Sequence, residues 1–211
     1  MSKVELWKSK FGDDYQQRCV PTEEEIQSRT TFFMLTLNLI ANGGRDIFPK
    51  SILEVGAGNG SNMIALAKIL SDNGLNIKLA AAEPNALARN ALKEIPKIEI
   101  YDFEVPYDNP NDMHFDLVFT SGVLIHIPPD LILPAMRSIY KLSNKYVLCM
   151  EYFSPEERMI PYRGQTDALW SRDYGKIFLD NFDLRCIGYG FLWRPITKLD
   201  NLTWTLLEKV N

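Results

Sequence analysis

A chain of 211 residues, 46% hydrophobic and 24% charged, has the size and balance of one globular domain that needs no covalent staples. A net charge of −4 without a long basic run does not supply the phosphate-neutralising face that a nucleic acid partner requires. Three scattered cysteines (Cys19, Cys149 and Cys186) fit neither a disulfide framework nor a paired-cysteine metal site, and no metal is expected.

Residues 1–20 mix Trp7, Phe11 and Tyr15 with charges and read as a short helix plus a turn at Gly12. They lack the apolar core of a signal peptide. The spacing of Thr22 and Glu25 predicts a capping box, opening a helix to about Ala41 that Asn42, Gly43 and Gly44 end. The most apolar run, 32–41, is broken by Thr36 and Asn38 and falls short of the ~18 residues a membrane span needs. A cytoplasmic location with no membrane partner is expected.

A strand at 51–55 is followed by a helix at 59–70, with Met63, Ile64, Ala67 and Leu70 on one side and Asn73-Gly74 as its stop. Strands at 77–82 and 97–101 flank a helix at 85–94. A buried strand at 116–120, a helix at 129–142 and a strand at 146–150 continue the rhythm. Such alternation predicts an α/β fold, a mostly parallel sheet with helices on both faces. A helix at 168–181 then precedes strands at 184–192 and 202–208 with no helix between them, so one of these is antiparallel. No repeat, low-complexity tract or linker divides the chain.

The first strand runs straight into Gly56, Gly58 and Gly60 and then a helix, an arrangement in which a ligand lies against bare backbone. A dinucleotide site would place its third glycine where Ser61 stands. Glu54, two residues ahead of the loop, would repel a pyrophosphate but suits a ligand carrying an ammonium and a sulfonium. Glu83 ends the second strand. It can accept two ribose hydroxyl hydrogen bonds, or simply cap the next helix, a role for which Asn85 is better suited.

These features resemble the class I, Rossmann-like S-adenosylmethionine-dependent methyltransferases, strongly over about residues 50–150 and weakly elsewhere. The family's first motif falls on Glu54, Gly56, Gly58, Asn59 and Gly60, and its ribose acid on Glu83 beside Pro84. Its adenine-contacting pair falls on Asp102 and Phe103. Its fourth-strand motif covers 115–122, including Ser121, and leads to His126. The resemblance implies a seven-stranded sheet with an antiparallel last strand and an N-terminal helical extension, arranged as 1–45 (a lid), 50–150 (a cofactor-binding core) and 151–211 (acceptor side and terminal strand pair). S-adenosylmethionine is the implied cofactor, S-adenosylhomocysteine its product, with no metal.

Methyl transfer from a sulfonium needs positioning more than covalent help. His126 is the candidate base for a hydroxyl acceptor, though in the family this histidine often only packs at the pocket. Ligands of open sheets sit beyond the strand carboxyl ends. Residues 151–174 should therefore meet the acceptor, with Tyr152, Arg158, Tyr162, Arg163, Trp170 and Arg172 as candidate contacts. Rings wall a flat or sugar ligand, and arginines clamp carboxylate or phosphate. This segment, with Tyr15 and Arg18 near the start, resembles the methyltransferases associated with pseudaminic acid biosynthesis. That implies a small anionic, sugar-like acceptor, either a nonulosonic acid or a nucleotide sugar, with Tyr15 and Arg18 in a lid over the cofactor. The residues alone leave open another small metabolite, peptide or carboxylate acceptor, or a non-catalytic S-adenosylmethionine-binding module. They also leave monomer and homodimer open.

Overall fold

The computed structural model describes residues 3–42, 48–107, 112–164 and 166–210 of the chain. Gly43 and Gly44, expected to end the long helix, and Gln165 of the acceptor-side segment lie outside the described residues.

Two short helices open the chain, α1 (Lys3–Trp7) and α2 (Lys10–Arg18). The turn therefore falls at Lys8–Ser9, not at Gly12, which lies inside α2 and is buried. Proximity explains the glycine, since a Cβ there would stand 1.9 Å from the Trp7 carbonyl oxygen. Helix α3 (Glu23–Ala41) begins with the predicted capping box: Glu25 N–H donates to Thr22 Oγ1 at 3.2 Å and Thr22 N–H to Glu25 Oε2 at 2.8 Å.

The core alternates β1 (Ser51–Val55), α4 (Ser61–Asn73), β2 (Lys78–Ala82), α5 (Ala86–Leu92), β3 (Ile98–Tyr101), β4 (Phe115–Ser121), α6 (Ile132–Leu142) and β5 (Ser143–Glu151). Helix α4 starts two residues later than its periodicity suggested. Gly60, at φ +83°, occupies its N-cap, where a Cβ would meet Ile95 and Leu92 at 2.5 and 2.7 Å. Helix α6 likewise starts at Ile132, not Pro129, and β5 starts earlier than expected, at Ser143.

The segment predicted as one helix over 168–181 divides. Trp170–Ser171 (β7) pairs antiparallel with Arg158–Met159 (β6), and only Tyr174–Asn181 (α7) is helical. The final strands β8 (Leu184–Leu192) and β9 (Leu202–Lys209) stand where predicted, but a one-turn helix α8 (Arg194–Thr197) joins them. Pro195 suits a first helical turn, because its missing N–H would have had no intrahelical partner.

The seven-stranded sheet has the order β3-β2-β1-β4-β5-β9-β8, parallel except for β9, which runs antiparallel to both β5 and β8. This is the Rossmann-like methyltransferase fold. Ile52 and Phe119 pack on one face with α3 and α4, while Leu53 and Val118 pack on the other with α6 and α7. Burial on both faces explains why β1 and β4 read as nearly unbroken apolar runs. Glu54 shares the face of Ile52, so its carboxylate emerges beneath α3 and α4.

Candidate functional site

A cavity of about 250 Å³ opens at the carboxyl ends of β1, β2 and β4, the reversal point of the strand order. Its floor is the glycine loop. Gly56, at φ +75°, lies so close to the turn after β4 that a Cβ would stand 2.5 Å from Val123 Cγ2. The amides of Gly56 and Ala57 both donate to the Ala82 carbonyl, at 2.8 and 3.2 Å, which ties the loop to β2.

Three buried carboxylates stand at the carboxyl ends of β1, β2 and β5. Glu83, just past β2, accepts from Gly58 N–H through Oε2 and from Asn85 N–H through Oε1, both at 2.8 Å. Burial pushes its carboxyl above the usual range, against the pull of those amides. Glu54 accepts from Asn62 Nδ2 at 2.6 Å through Oε1. Complete burial raises it to about 8, opposed by Asn62 and by the Arg29 guanidinium. Glu151, ending β5, is raised to about 7 by burial, opposed by amides of the turn that follows β4 and by the Thr120 hydroxyl.

On one side of the cavity four buried polar atoms have no hydrogen-bond partner among the described residues: Gln16 Oε1, Arg29 Nε, Glu54 Oε2 and Asn62 Oδ1. All four residues line the cavity. Polar atoms left unpaired away from water are costly, so such a cluster marks a place where a ligand completes the network. Two amide oxygens beside the Glu54 carboxylate fit an ammonium group, and the Arg29 guanidinium fits a carboxylate. The opposite end is walled by Pro84, Phe103, Val105, Val123 and Leu131, an apolar slot for a flat base.

His126 closes the 3-10 turn Leu124–His126 and lines the cavity. Its Nδ1 lies 2.6 Å from the Ala168 carbonyl oxygen. A carbonyl can only accept, so Nδ1 carries the proton and Nε2 keeps the ring's free lone pair. Burial depresses the imidazole to about 4, so it is neutral at pH 7.

The N-terminal helices cover this region. The Trp7 ring lies 4.5 Å from His126 and 5.4 Å from both Phe11 and Tyr15. Asn85 Nδ2 donates to the Trp7 carbonyl at 3.0 Å and to Asp13 Oδ1 at 2.9 Å, while its Oδ1 accepts from Ala88 N–H as the α5 cap. Lys8 pairs with Glu104 at 2.8 Å.

Of the residues singled out from sequence, Tyr15, Glu54, Gly56, Gly58, Asn59, Glu83, Pro84, Phe103, Ser121 and His126 line the cavity. Arg18 is exposed and does not line it, and Gly60 serves beneath it as a helix cap. Asp102 does not line it either. Its carboxylate is held 2.8 Å from Arg89 Nη1, which also donates to the Glu83 carbonyl oxygen.

The acceptor-side residues separate further. Tyr162 stands 5.5 Å from His126, and the Arg163 guanidinium lies over the Tyr162 ring. Tyr152 donates to Asp200 Oδ2 at 3.1 Å. Arg158 is exposed on β6. Trp170 and Arg172 are buried and do not reach the cavity: Arg172 donates to Glu157, the Ile127 carbonyl and Tyr174.

Sequence reasoning missed Trp7, Gln16, Arg29, Asn62 and Glu151. Two carried a signal. Asn62 is a polar residue in the apolar i, i+4, i+7 row with Leu66 and Ile69, and Glu151 ends an apolar strand as Glu54 and Glu83 do. Arg29 is the lone cation of α3, but nothing in the sequence pairs it with Glu54. Among the described residues no helix is long and apolar enough to cross a membrane, and no cluster has metal-ligand composition.

No family model matches the sequence, and no curated protein matches it. Solved structures do resemble the fold. The Burkholderia thailandensis 1,6-didemethyltoxoflavin-N1-methyltransferase, bound to 1,6-didemethyltoxoflavin and S-adenosylhomocysteine, is 17% identical with a TM-score of 0.70, over 99% of this chain and 89% of that one. The magnesium protoporphyrin IX methyltransferase of Synechocystis, bound to S-adenosylmethionine, is 14% identical with a TM-score of 0.66, over 100% and 98%. The plantazolicin methyltransferase in complex with S-adenosylhomocysteine and a pentazolic desmethylPZN analogue is 14% identical with a TM-score of 0.60, over 99% and 95%.

Proposed function

We propose that the chain is an S-adenosylmethionine-dependent methyltransferase acting on a small molecule. The observation that carries this reading is the cluster of unpaired buried atoms on Gln16, Arg29, Glu54 and Asn62 around one end of the cavity. A zwitterionic amino acid group completes that cluster, its ammonium facing Glu54, Asn62 and Gln16 and its carboxylate facing Arg29. Glu83 would hold the ribose hydroxyls, with Phe103, Val105 and Leu131 around the adenine. The resembling structures, crystallised with S-adenosylmethionine or S-adenosylhomocysteine, support the same ligand.

The bound cofactor supplies an electrophilic methyl group on a sulfonium sulfur. The residues of this chain fix its geometry, exclude water with α1 and α2, and hold a proton acceptor at His126 Nε2. A neutral imidazole can take the proton of a hydroxyl or N–H acceptor. The depressed value makes it a weak base, so its contribution is mainly orientation of that hydrogen.

The acceptor is proposed to be anionic and sugar-like, of the nonulosonic acid or nucleotide-sugar type. Supporting this is Arg163, whose guanidinium lies over the Tyr162 ring that itself approaches His126. A cation there can face a carboxylate or phosphate on a ligand entering past Tyr162.

Titration calorimetry with S-adenosylhomocysteine tests the cofactor, and a protein that shows no heat of binding rejects the assignment. Incubation with labelled S-adenosylmethionine and panels of nonulosonic acids, nucleotide sugars and uncharged heteroaromatics tests the acceptor. Label transferred only to the last group rejects the anionic sugar.

A further inference from the structure

The turn after β4 has an anchoring problem. A one-turn 3-10 helix cannot satisfy the N–H groups at its own start, and its internal hydrogen bonds are poorly aligned. The Leu124–His126 turn is nonetheless buried at Leu124 and Ile125 and carries His126 at its end.

Two side chains from elsewhere complete it. Glu151 is 1% exposed; its Oε1 accepts from Val123 N–H and its Oε2 from Ile125 N–H, each at 3.2 Å. Arg172 is 3% exposed and follows β7; its Nη1 donates to the Ile127 carbonyl at 3.1 Å and to the Tyr174 hydroxyl at 3.3 Å. Its Nε is paired with Glu157 at 2.6 Å. The carboxylate thus grips the front of the turn and the guanidinium its rear.

The segment ahead of Arg172 supplies the third anchor, because Ala168 gives its carbonyl to His126 Nδ1. Tyr174 Oη closes the unit by donating to the Trp170 carbonyl at 3.0 Å. Burying a carboxylate and a guanidinium is expensive, and apolar side chains would fill that volume at less cost. What charged groups provide is directional hold on three specific main-chain atoms. A site residue must sit within about 0.5 Å of its working position, and supporting hydrogen bonds achieve this.

We infer that Glu151 and Arg172 are positioning residues, jointly locking the segment from Val123 to Ile127 so that His126 is held in one tautomer at the cavity wall. Neither lines the cavity itself; both act through the turn. This inference rests on the proposed role of His126, but the lock can be measured without any acceptor.

Nitrogen-15 imidazole spectra suit the test, since the protein has only two histidines, His114 and His126. Wild-type His126 should show a single tautomer protonated at Nδ1. Glu151→Gln and Arg172→Lys, each recorded well below its own melting temperature, should show mixed tautomers. Both should bind S-adenosylhomocysteine about tenfold more weakly, because Val123, which lines its cavity, packs against Gly56 of the glycine loop. A merely structural role lowers the melting temperature and leaves tautomer and affinity unchanged, and that result overturns the inference.

Amide exchange in wild-type protein requires no variant to fold. Val123 and Ile125 should be protected to the level of the β4 amides, and rapid exchange at both overturns the lock. Wild-type protein that does not bind S-adenosylhomocysteine rejects the cofactor reading instead, while the tautomer and exchange data still decide the lock.

Discussion

Asn62 Nδ2 donates to Glu54 Oε1 at 2.6 Å, and Glu54 Oε2, in a residue only 1% exposed, has no hydrogen-bond partner among the described residues. Half of a buried carboxylate is therefore committed to the protein and half is available to a ligand. That division gives Glu54 a titration that follows the state of the cavity.

Without ligand, the Glu54 carboxyl is raised from its ordinary 4.5 to about 8. A carboxyl with a raised folded value stabilises the fold fully below the ordinary value and loses that contribution as pH rises towards 8. Glu151 acts in the same direction up to about 7, while depressed His126 adds stability between about 4 and 6.5. Between pH 6.5 and 8.5 the melting temperature of ligand-free protein should therefore fall, and Glu54→Gln should flatten that slope. Thermal denaturation across this window measures both.

The ammonium group of the ligand prefers the ionised carboxylate, so binding below pH 8 should expel the Glu54 proton. The affinity for S-adenosylhomocysteine should increase from pH 6.5 to 8, by at most about tenfold per unit for one proton. Calorimetry in buffers of different ionisation enthalpy counts the released proton. The count should vanish in Glu54→Gln.

Glu83→Ala removes a carboxylate that would bind ribose hydroxyls and also frees the Gly58 and Asn85 amides. Hydrogen bonds to a charged group contribute about 1.5–3 kcal/mol, so affinity for S-adenosylhomocysteine should fall roughly ten- to hundredfold. Glu83→Gln, which retains an acceptor, should recover part of the loss. Equal calorimetric affinity for wild type and the alanine variant would remove Glu83 from the site.

His126→Asn should reduce methyl transfer by up to about a hundredfold, because the acceptor hydrogen loses the imidazole that orients it. Binding of S-adenosylhomocysteine should change little. Unchanged turnover would leave the ring a packing partner of Trp7 and Tyr162.

Gly12→Ala tests the N-terminal cover. The added Cβ would collide with the Trp7 carbonyl, so α1 and α2 must separate at a cost of about 1–3 kcal/mol. The expected signature is a red-shifted Trp7 emission, obtained by difference against Trp7→Phe, together with weaker ligand binding. The main melting transition should shift little, because the sheet core lies beneath α3, α4, α6 and α7. A strongly lowered transition with unchanged Trp7 emission would show that α1 and α2 belong to the core.

Much of this molecule is local in origin and therefore legible in the chain. The Thr22–Glu25 box, the Gly74 stop and the apolar strands β1 and β4 depend on neighbours within a few residues. The boundaries that shifted have one local cause and one that is not local. Gly60 acts as a cap and not as the first turn of α4, and the Trp170–Ser171 pairing with Arg158–Met159 delays α7 to Tyr174.

The strand–glycine–helix signature and the acids at strand ends are readable along the chain, because β1 and β2 are parallel neighbours that bring Glu54 and Glu83 to the same edge of the sheet. Which side chains face them follows from how distant helices pack over the sheet. Arg29 meets Glu54 because α3 folds back over α4, and Gln16 joins them because α2 covers the cavity. Arg172 turned inward because the β6–β7 pairing orients it towards the Ile127 carbonyl, whereas Arg158, its near neighbour across that ladder, stays in solvent. Arg29, Glu54 and Glu83, which charge the site, come from three separate elements, and no local propensity encodes an encounter between segments so far apart in the chain.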